Sequence, residues 1–262
     1  MLQLTSFQLE MWLSMFLWPF VRITGLIAAA PVFSHSSMPM MLKIGLSVLL
    51  TAIIGPTLPP LPDVPILSWT SVAIMCEQVL IGLAIGMVMQ IVFSIAQAAG
   101  DFIGLQMGLA FASFFSPDTG GNTMILARIL YIISLLLFLA VDGHLALIDL
   151  LARSFQTLPI AAFSLNSDGF LRLVVFAGTI FKLGLLLALP VIGILLVINL
   201  SMGILNRSAP QFTVFSVGFP VSLTAGLLLF GVLMTEIQSF LTNLFRMGFE
   251  FIQLMLTQGL SP

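Results

Sequence analysis

From residue 71 to residue 108 the chain reads as one apolar helix, and no other segment limits the possible folds as strongly. At 1.5 Å rise per residue it is roughly 57 Å long, too long for a bilayer unless kinked or steeply tilted. Its faces are coherent. Gln90, Ser94, Gln97 and Asp101 fall at spacings of four, three and four and form a polar stripe. Beside it runs a helix-packing ridge of glycines, Gly82, Gly86, Gly100, Gly104 and Gly108. Positions four apart share a face, so the ladder Ala96, Gly100, Gly104, Gly108 and Ala112 lets another backbone approach closely. Stripe and ridge are equally well explained as a plain packing seam. Directly beyond, Phe111, Phe114 and Phe115 stand before Pro117, Gly120 and Gly121, where a helix must end. Tight packing followed by a flexible aromatic tip points to a gate. Apolar rings exclude water from a narrow pore, and a Gly-Gly loop lets them move aside. Rings buried in a core are the plainer alternative.

Composition agrees with a membrane setting. Hydrophobic residues make up 60% and charged residues 7%, against roughly 25% charged in a soluble domain. Six or seven helices of roughly 20 residues fit into 262 residues, so the expected class is all-α, with no separate soluble domain. A net charge of −2 argues against a nucleic-acid partner. Cys76, the single cysteine, is expected to pack as a small apolar residue. No basic residue precedes Arg22, so the first segment is expected to stay as a helix and not to be a cleaved leader.

Apolar segments lie at about 8–30, 42–58, 71–99, 124–141, 171–200 and 213–235, which predicts five or six spans. Alternating six spans puts Arg153, Arg172 and Arg246 opposite Lys43, Arg128 and Arg207. The positive-inside rule therefore selects no orientation, as expected of helices buried against other protein chains. Asp142-Gly143-His144 predicts a helix stop with Gly143 as a left-handed cap. Asp149 and Arg153 are placed to pair, and Asn166-Ser167-Asp168 to cap the helix that follows. The last segment, Glu236 to Gln258, reads as a separate helix. Its polar stripe of Ser239, Thr242, Asn243, Arg246, Glu250, Gln253 and Thr257 suits an interface, a water-filled lumen or a polar partner.

Enzyme chemistry finds little support. No nucleotide loop, HExxH, GxSxG or cysteine–histidine metal spacing occurs, and His35 and His144 are the only histidines. No catalytic residue, metal or cofactor is expected. Asp101 and Asp142 would be needed for an intramembrane aspartyl protease, but Ala98-Ala99-Gly100-Asp101 lacks the Gly-x-Gly-Asp form. Arg22, Asp101 and Arg207 are the candidate polar anchors. Arg22 sits mid-segment, where an unpaired arginine costs roughly 2.5–3.5 kcal/mol, so it needs a carboxylate, carbonyl or water partner. A hydrogen-bonded anchor between helices is the favoured role, and a polar lining of a conduit the alternative. The sequence names no partner for Arg22, Lys43, Lys182 or Arg207.

A set of short motifs carries a resemblance along nearly the whole chain. It comprises Arg22-x-x-Gly25 with Pro31-Val32-Phe33, Pro39 and Lys43; Gly82 and Gly86; and the run from Gly100-Asp101-Phe102 through Gly104-Leu105-Gln106-Met107-Gly108-Leu109. Gly143-His144, Asn199, Gly203, Arg207-Ser208-Ala209-Pro210-Gln211 and Val217-Gly218-Phe219-Pro220 complete it. In order and spacing these resemble the FliR family of type III export-gate proteins, flagellar and virulence-associated; the flagellar reading rests on the resemblance alone. Thr213 departs from the family's commoner asparagine.

The resemblance implies a subunit of long, broken helices and helical hairpins that packs with FliP-type and FliQ-type subunits into a hetero-oligomeric helical spiral. It implies a P-type unit over residues 1–175, including a plug loop at 108–122, and a Q-type hairpin over 176–262. Phe111 and Phe114, with Phe115 as neighbour, match the plug; the residues themselves make Pro117, Gly120 and Gly121 its expected hinge. Other implied partners are an FlhB-type switch protein, membrane lipid and unfolded export substrates, at the flagellar basal body in the bacterial inner membrane. A polytopic secondary transporter with a mid-helix polar site is the competing class, and it predicts an internal repeat that the irregular breaker spacing lacks. A scaffold that nucleates assembly without gating is the third.

Overall fold

The computed structural model describes residues 6–59, 61–62, 64–65, 67–109, 125–161, 166, 168–208 and 217–260. Every α or β element among the described residues is a helix. The order is α1 (Ser6–Ala29), α2 (Pro31–Ser34), α3 (Met40–Ile54), α4 (Trp69–Gln106), α5 (Ile125–Ala140), α6 (Gly143–Thr157), α7 (Asp168–Ala177), α8 (Thr179–Ser208) and α9 (Phe219–Leu254). A 3₁₀ turn, Gly55–Thr57, follows α3, and a π turn, Met255–Gly259, follows α9. Among the described residues, five segments are long and apolar enough to cross a membrane, or six if α5 and α6 count together. That matches the five or six spans expected from hydropathy, and the fold is an all-α membrane protein.

α4 is the single long helix that the sequence predicts, 38 residues without a break. Two local expectations are corrected. Asp142, not Gly143, takes the left-handed conformation, with φ 55° and ψ 25°. Aspartate tolerates that region because its short polar side chain can bond locally, and Gly143 is left free to open α6. The segment expected at 171–200 lies within one span-length stretch, Asp168–Ser208, made of α7 and α8 with Gly178 between them. The segment expected to start at Glu236 is the second half of α9, which runs unbroken for 36 residues. Pro220 is only the second residue of α9, where its missing N–H has no helical partner to lose.

The chain forms two compact units, and neither is a continuous stretch. The first comprises residues 1–91, 142–177 and 246–262. In it α1 packs on α2, α3 and the 3₁₀ turn, while α6 and α7 both meet the π turn. Lys43 reaches back from α3 and donates to the Ser34 carbonyl at the end of α2, 2.9 Å away. Asn166 accepts from the Asp168 N–H at 3.2 Å and so helps to start α7. Phe176 of α7 stacks on Phe251 of α9, with ring centroids 4.1 Å apart.

The second unit comprises residues 92–141 and 178–245. Its core is a ring cluster on three helices: Phe93 of α4, Tyr131 and Phe138 of α5, and Phe245 of α9. Centroid separations run from 5.1 to 5.9 Å, with stacked and edge-to-face pairs. Backbone proximity adds to it. A Cβ on Gly100 would overlap the Ala127 backbone of α5, and one on Gly184 of α8 would lie 3.1 Å from the Ala98 Cβ.

Candidate functional site

Among the described residues of the first unit, Arg22 is the buried cation, and its surroundings define an organised polar site. α1 carries the residue into a position with no solvent exposure. Its guanidinium donates from Nε to Gln78 Oε1 of α4 at 2.7 Å and from Nη1 to Ser154 Oγ of α6 at 3.1 Å. A third bond runs from Nη2 to the Leu158 carbonyl at 2.9 Å, and Cζ lies 4.2 Å from the centroid of the Phe155 ring. Among the described residues no carboxylate pairs with it. The charge is held instead by neutral acceptors, an aromatic face and the carboxyl end of α6, where Leu158 is the C-cap and the helix dipole favours a cation. Ser154 also donates to the Leu151 carbonyl at 2.6 Å, so its lone pairs are turned toward Arg22. Three helices far apart in sequence thus converge on one side chain.

Glycine makes that convergence possible. A Cβ on Gly82 would overlap the Arg22 carbonyl oxygen. On Gly86 it would stand 2.6 Å from the Ala29 Cβ, and on Gly25 of α1 2.8 Å from the Val79 carbonyl. Gly82 and Gly86 therefore lie in an α1–α4 seam at near backbone contact. Beside the same unit's Phe155 is an open cleft of about 460 Å³, bordered by Thr57, Gln156 and the expected Asp149–Arg153 ion pair, which closes at 2.8 Å on the surface.

The other predicted residues lie in the second unit. Gly100 faces α5 as described above, and Gly104 is buried in the last turn of α4. Gly108, counted with the ridge from its spacing, lies beyond α4 at φ 81°. There it completes a two-bond stop: the Gly108 N–H donates to Leu105 and the Leu109 N–H to Gly104, both at 3.0 Å. Asp101 is half-buried on α4, and Arg207 is exposed in the last turn of α8, where its charge suits the carboxyl end. Phe111, Phe114, Phe115, Pro117, Gly120 and Gly121 lie outside the described residues. The structure brings Arg22, Gly82 and Gly86 together in one seam and holds Gly100, Gly104 and Gly108 in the other unit.

Sequence reasoning missed Gln78, Ser154, Phe155 and Leu158 as partners of Arg22. Gln78 was within reach, because it precedes Gly82 by four residues and Gly86 by eight and so shares the ridge face. The α6 residues had no such signal. They stand more than 130 positions from Arg22, and neither spacing nor charge marks them. Among the described residues no group of histidine, cysteine and carboxylates could hold a metal.

The family described as "Bacterial export proteins, family 1" matches residues 13–248. The chain is 48% identical to the flagellar biosynthetic protein FliR of Pectobacterium carotovorum, over 98% of both chains. It is 46% identical to FliR of Escherichia coli K12 over 96% of both, and 28% identical to FliR of Bacillus subtilis over 90% of this chain and 92% of that one. With the family covering most of its helices and these relatives matching it nearly end to end, this chain belongs to family 1 of the bacterial export proteins, the FliR family, as a helical membrane component of the flagellar export apparatus.

Proposed function

We propose that this chain is a structural and gating subunit of the flagellar type III export gate, in the bacterial inner membrane at the flagellar basal body. It assembles with FliP-type and FliQ-type subunits into a helical spiral, meets an FlhB-type switch protein, and forms part of the pore through which unfolded flagellar proteins cross. Residues 1–175 supply the P-type unit and 176–262 the Q-type hairpin; the break between α7 and α8 falls beside that join. Phe111, Phe114 and Phe115 close the pore at rest, and Pro117, Gly120 and Gly121 let them swing aside.

The observation that carries this reading is the firm stop of α4. A 38-residue helix ends in a glycine-capped motif at Gly108, two residues before the segment that brings the three phenylalanines. Apolar rings on such a segment gate a narrow pore by excluding water. Support for assembly comes from exposed apolar side chains such as Met41, Ile53, Phe181 and Leu228, a surface that lipid or partner subunits must cover.

Two measurements test it. Native mass spectrometry after co-expression with the two partner types should find one copy of this chain among several copies of each. In planar bilayers, the complex carrying Phe111→Ala and Phe114→Ala should conduct ions at rest while the parent stays closed. A chain that ignores both partners overturns the assembly, and an ion-tight double variant overturns the seal.

A further inference from the structure

α3 has the polarity of a soluble helix reversed. Its buried face carries Ser47 and Thr51, each 1% exposed, whose hydroxyls donate to the Lys43 and Ser47 carbonyls at 2.8 and 2.7 Å. Its outer face is apolar, with Met41, Leu42, Leu49 and Ile53 each more than half exposed. Lipid is the solvent that such a face fits. With the 3₁₀ turn the segment Met40–Thr57 is 18 residues long. At 1.5 Å per residue that is roughly 27 Å, close to a hydrocarbon core of about 30 Å. Thr57 therefore falls at the level of the lipid headgroups, and Ile53 precedes it by four residues, so the apolar face leads up to it.

Thr57 also lines the cleft of about 460 Å³ beside Phe155, whose volume suits a small-ligand site of about 300–1,000 Å³. Leu58 and Pro59 give the cleft apolar surface, and α6 supplies Asp149, Arg153, Gln156 and Thr157. Acceptors dominate its polar groups. The Thr57 hydroxyl spends its proton on the Ile54 carbonyl at 2.7 Å and that of Thr157 on the Ser154 carbonyl at 3.3 Å, which leaves both oxygens as acceptors. Asp149 adds a carboxylate, and Gln156 and Thr157 stand at the carboxyl end of α6, which favours a cation. Arg153 is the cationic side chain of the lining, paired with Asp149 at 2.8 Å while both stay mostly exposed. An exposed pair of this kind contributes little and opens readily.

We propose that this cleft binds the headgroup of phosphatidylethanolamine, with the acyl chains laid along the apolar face of α3. The ammonium brings three N–H donors to Asp149 and the two threonine oxygens, and the phosphate accepts from the Arg153 guanidinium. Each half of the ion pair is thus exchanged for a partner of its own. A choline headgroup has no N–H for those acceptors, and a glycerol headgroup brings negative charge with no cation for Asp149. The binding needs only the membrane setting of the chain and not the gating reading above.

The test uses the full chain, purified in detergent and stripped of lipid. It is titrated with phosphatidylethanolamine, phosphatidylcholine or phosphatidylglycerol of the same acyl chains and read by native mass spectrometry. Phosphatidylethanolamine should bind about tenfold more tightly than either of the others, and Arg153→Gln and Asp149→Asn should each remove that preference, as expected from one lost charge-assisted hydrogen bond. Both side chains are exposed, so neither variant disturbs the core. Arg246→Gln, which breaks the exposed pair with Glu250 and does not touch the cleft, should keep the preference. Equal binding of the three lipids overturns the headgroup assignment, and a preference that survives both cleft variants overturns the site. In the complex with FliP-type and FliQ-type subunits the preference should persist. Its loss there would mean that a subunit and not lipid covers the cleft, and would equally overturn the assignment.

Discussion

In the first unit α1, α4 and α6 meet at the Arg22 guanidinium, which spends its donors on Gln78, Ser154 and the Leu158 carbonyl. In the second, α4, α5 and α9 meet at the rings of Phe93, Tyr131, Phe138 and Phe245. Both junctions join three helices, and both have glycines that let the backbones close. They differ in how they fail. A buried cation held by hydrogen bonds is intolerant, because losing one acceptor leaves an uncompensated charge away from water. A ring cluster is graded, because each pair adds only about 0.5–1.5 kcal/mol beyond its buried area. The polar junction fixes one arrangement of its helices, while the aromatic junction accepts small changes of shape.

The largest expected effect lies at the polar junction. Gln78→Leu removes the shortest bond to Arg22 and should cost about 3 kcal/mol or more, read as a lower thermal midpoint of the detergent-purified protein. A loss under about 1 kcal/mol would break the contrast between the two junctions. Next comes Gly82→Ala, whose methyl overlaps the Arg22 carbonyl and must push two backbones apart, at about 1–3 kcal/mol in the same assay. Phe138→Leu in the second unit should cost about 1–2 kcal/mol, since two edge-to-face pairs are lost but most of the apolar volume stays. A cost as large as that of Gln78→Leu would show that the rings, too, tolerate no change. The smallest effect is expected for Gly193→Ala on α8. A Cβ there meets nothing within 4 Å, so the gain in helix propensity should raise stability by up to about 1 kcal/mol. Against Gly82→Ala it separates glycines that bring helices together from glycines that are merely present.

The two junctions were unequally legible. Glycines at four-residue spacing mark a packing face on α4, and Gly82, Gly86 and Gly100 each lie within reach of a neighbouring backbone. Gly108 has the same spacing and a different use, because the helix ends before reaching it and periodicity does not report where a helix stops. The need of Arg22 for a partner could be argued from its place in an apolar segment. The partners could not, because they come from residues 78, 154 and 158, and only the packing of three helices brings them together.

By itself the sequence determined the class and the longest element: an all-α membrane chain with an unbroken 38-residue α4. Those properties are local, set by propensity and by the cost of burying unpaired backbone in an apolar medium. Tertiary structure alone decided that Asp142 and not Gly143 turns the chain, that α9 runs through Glu236, and which acceptors surround Arg22. Each is a choice among alternatives that local preference leaves nearly equal in energy, and contacts between residues distant in sequence settle it.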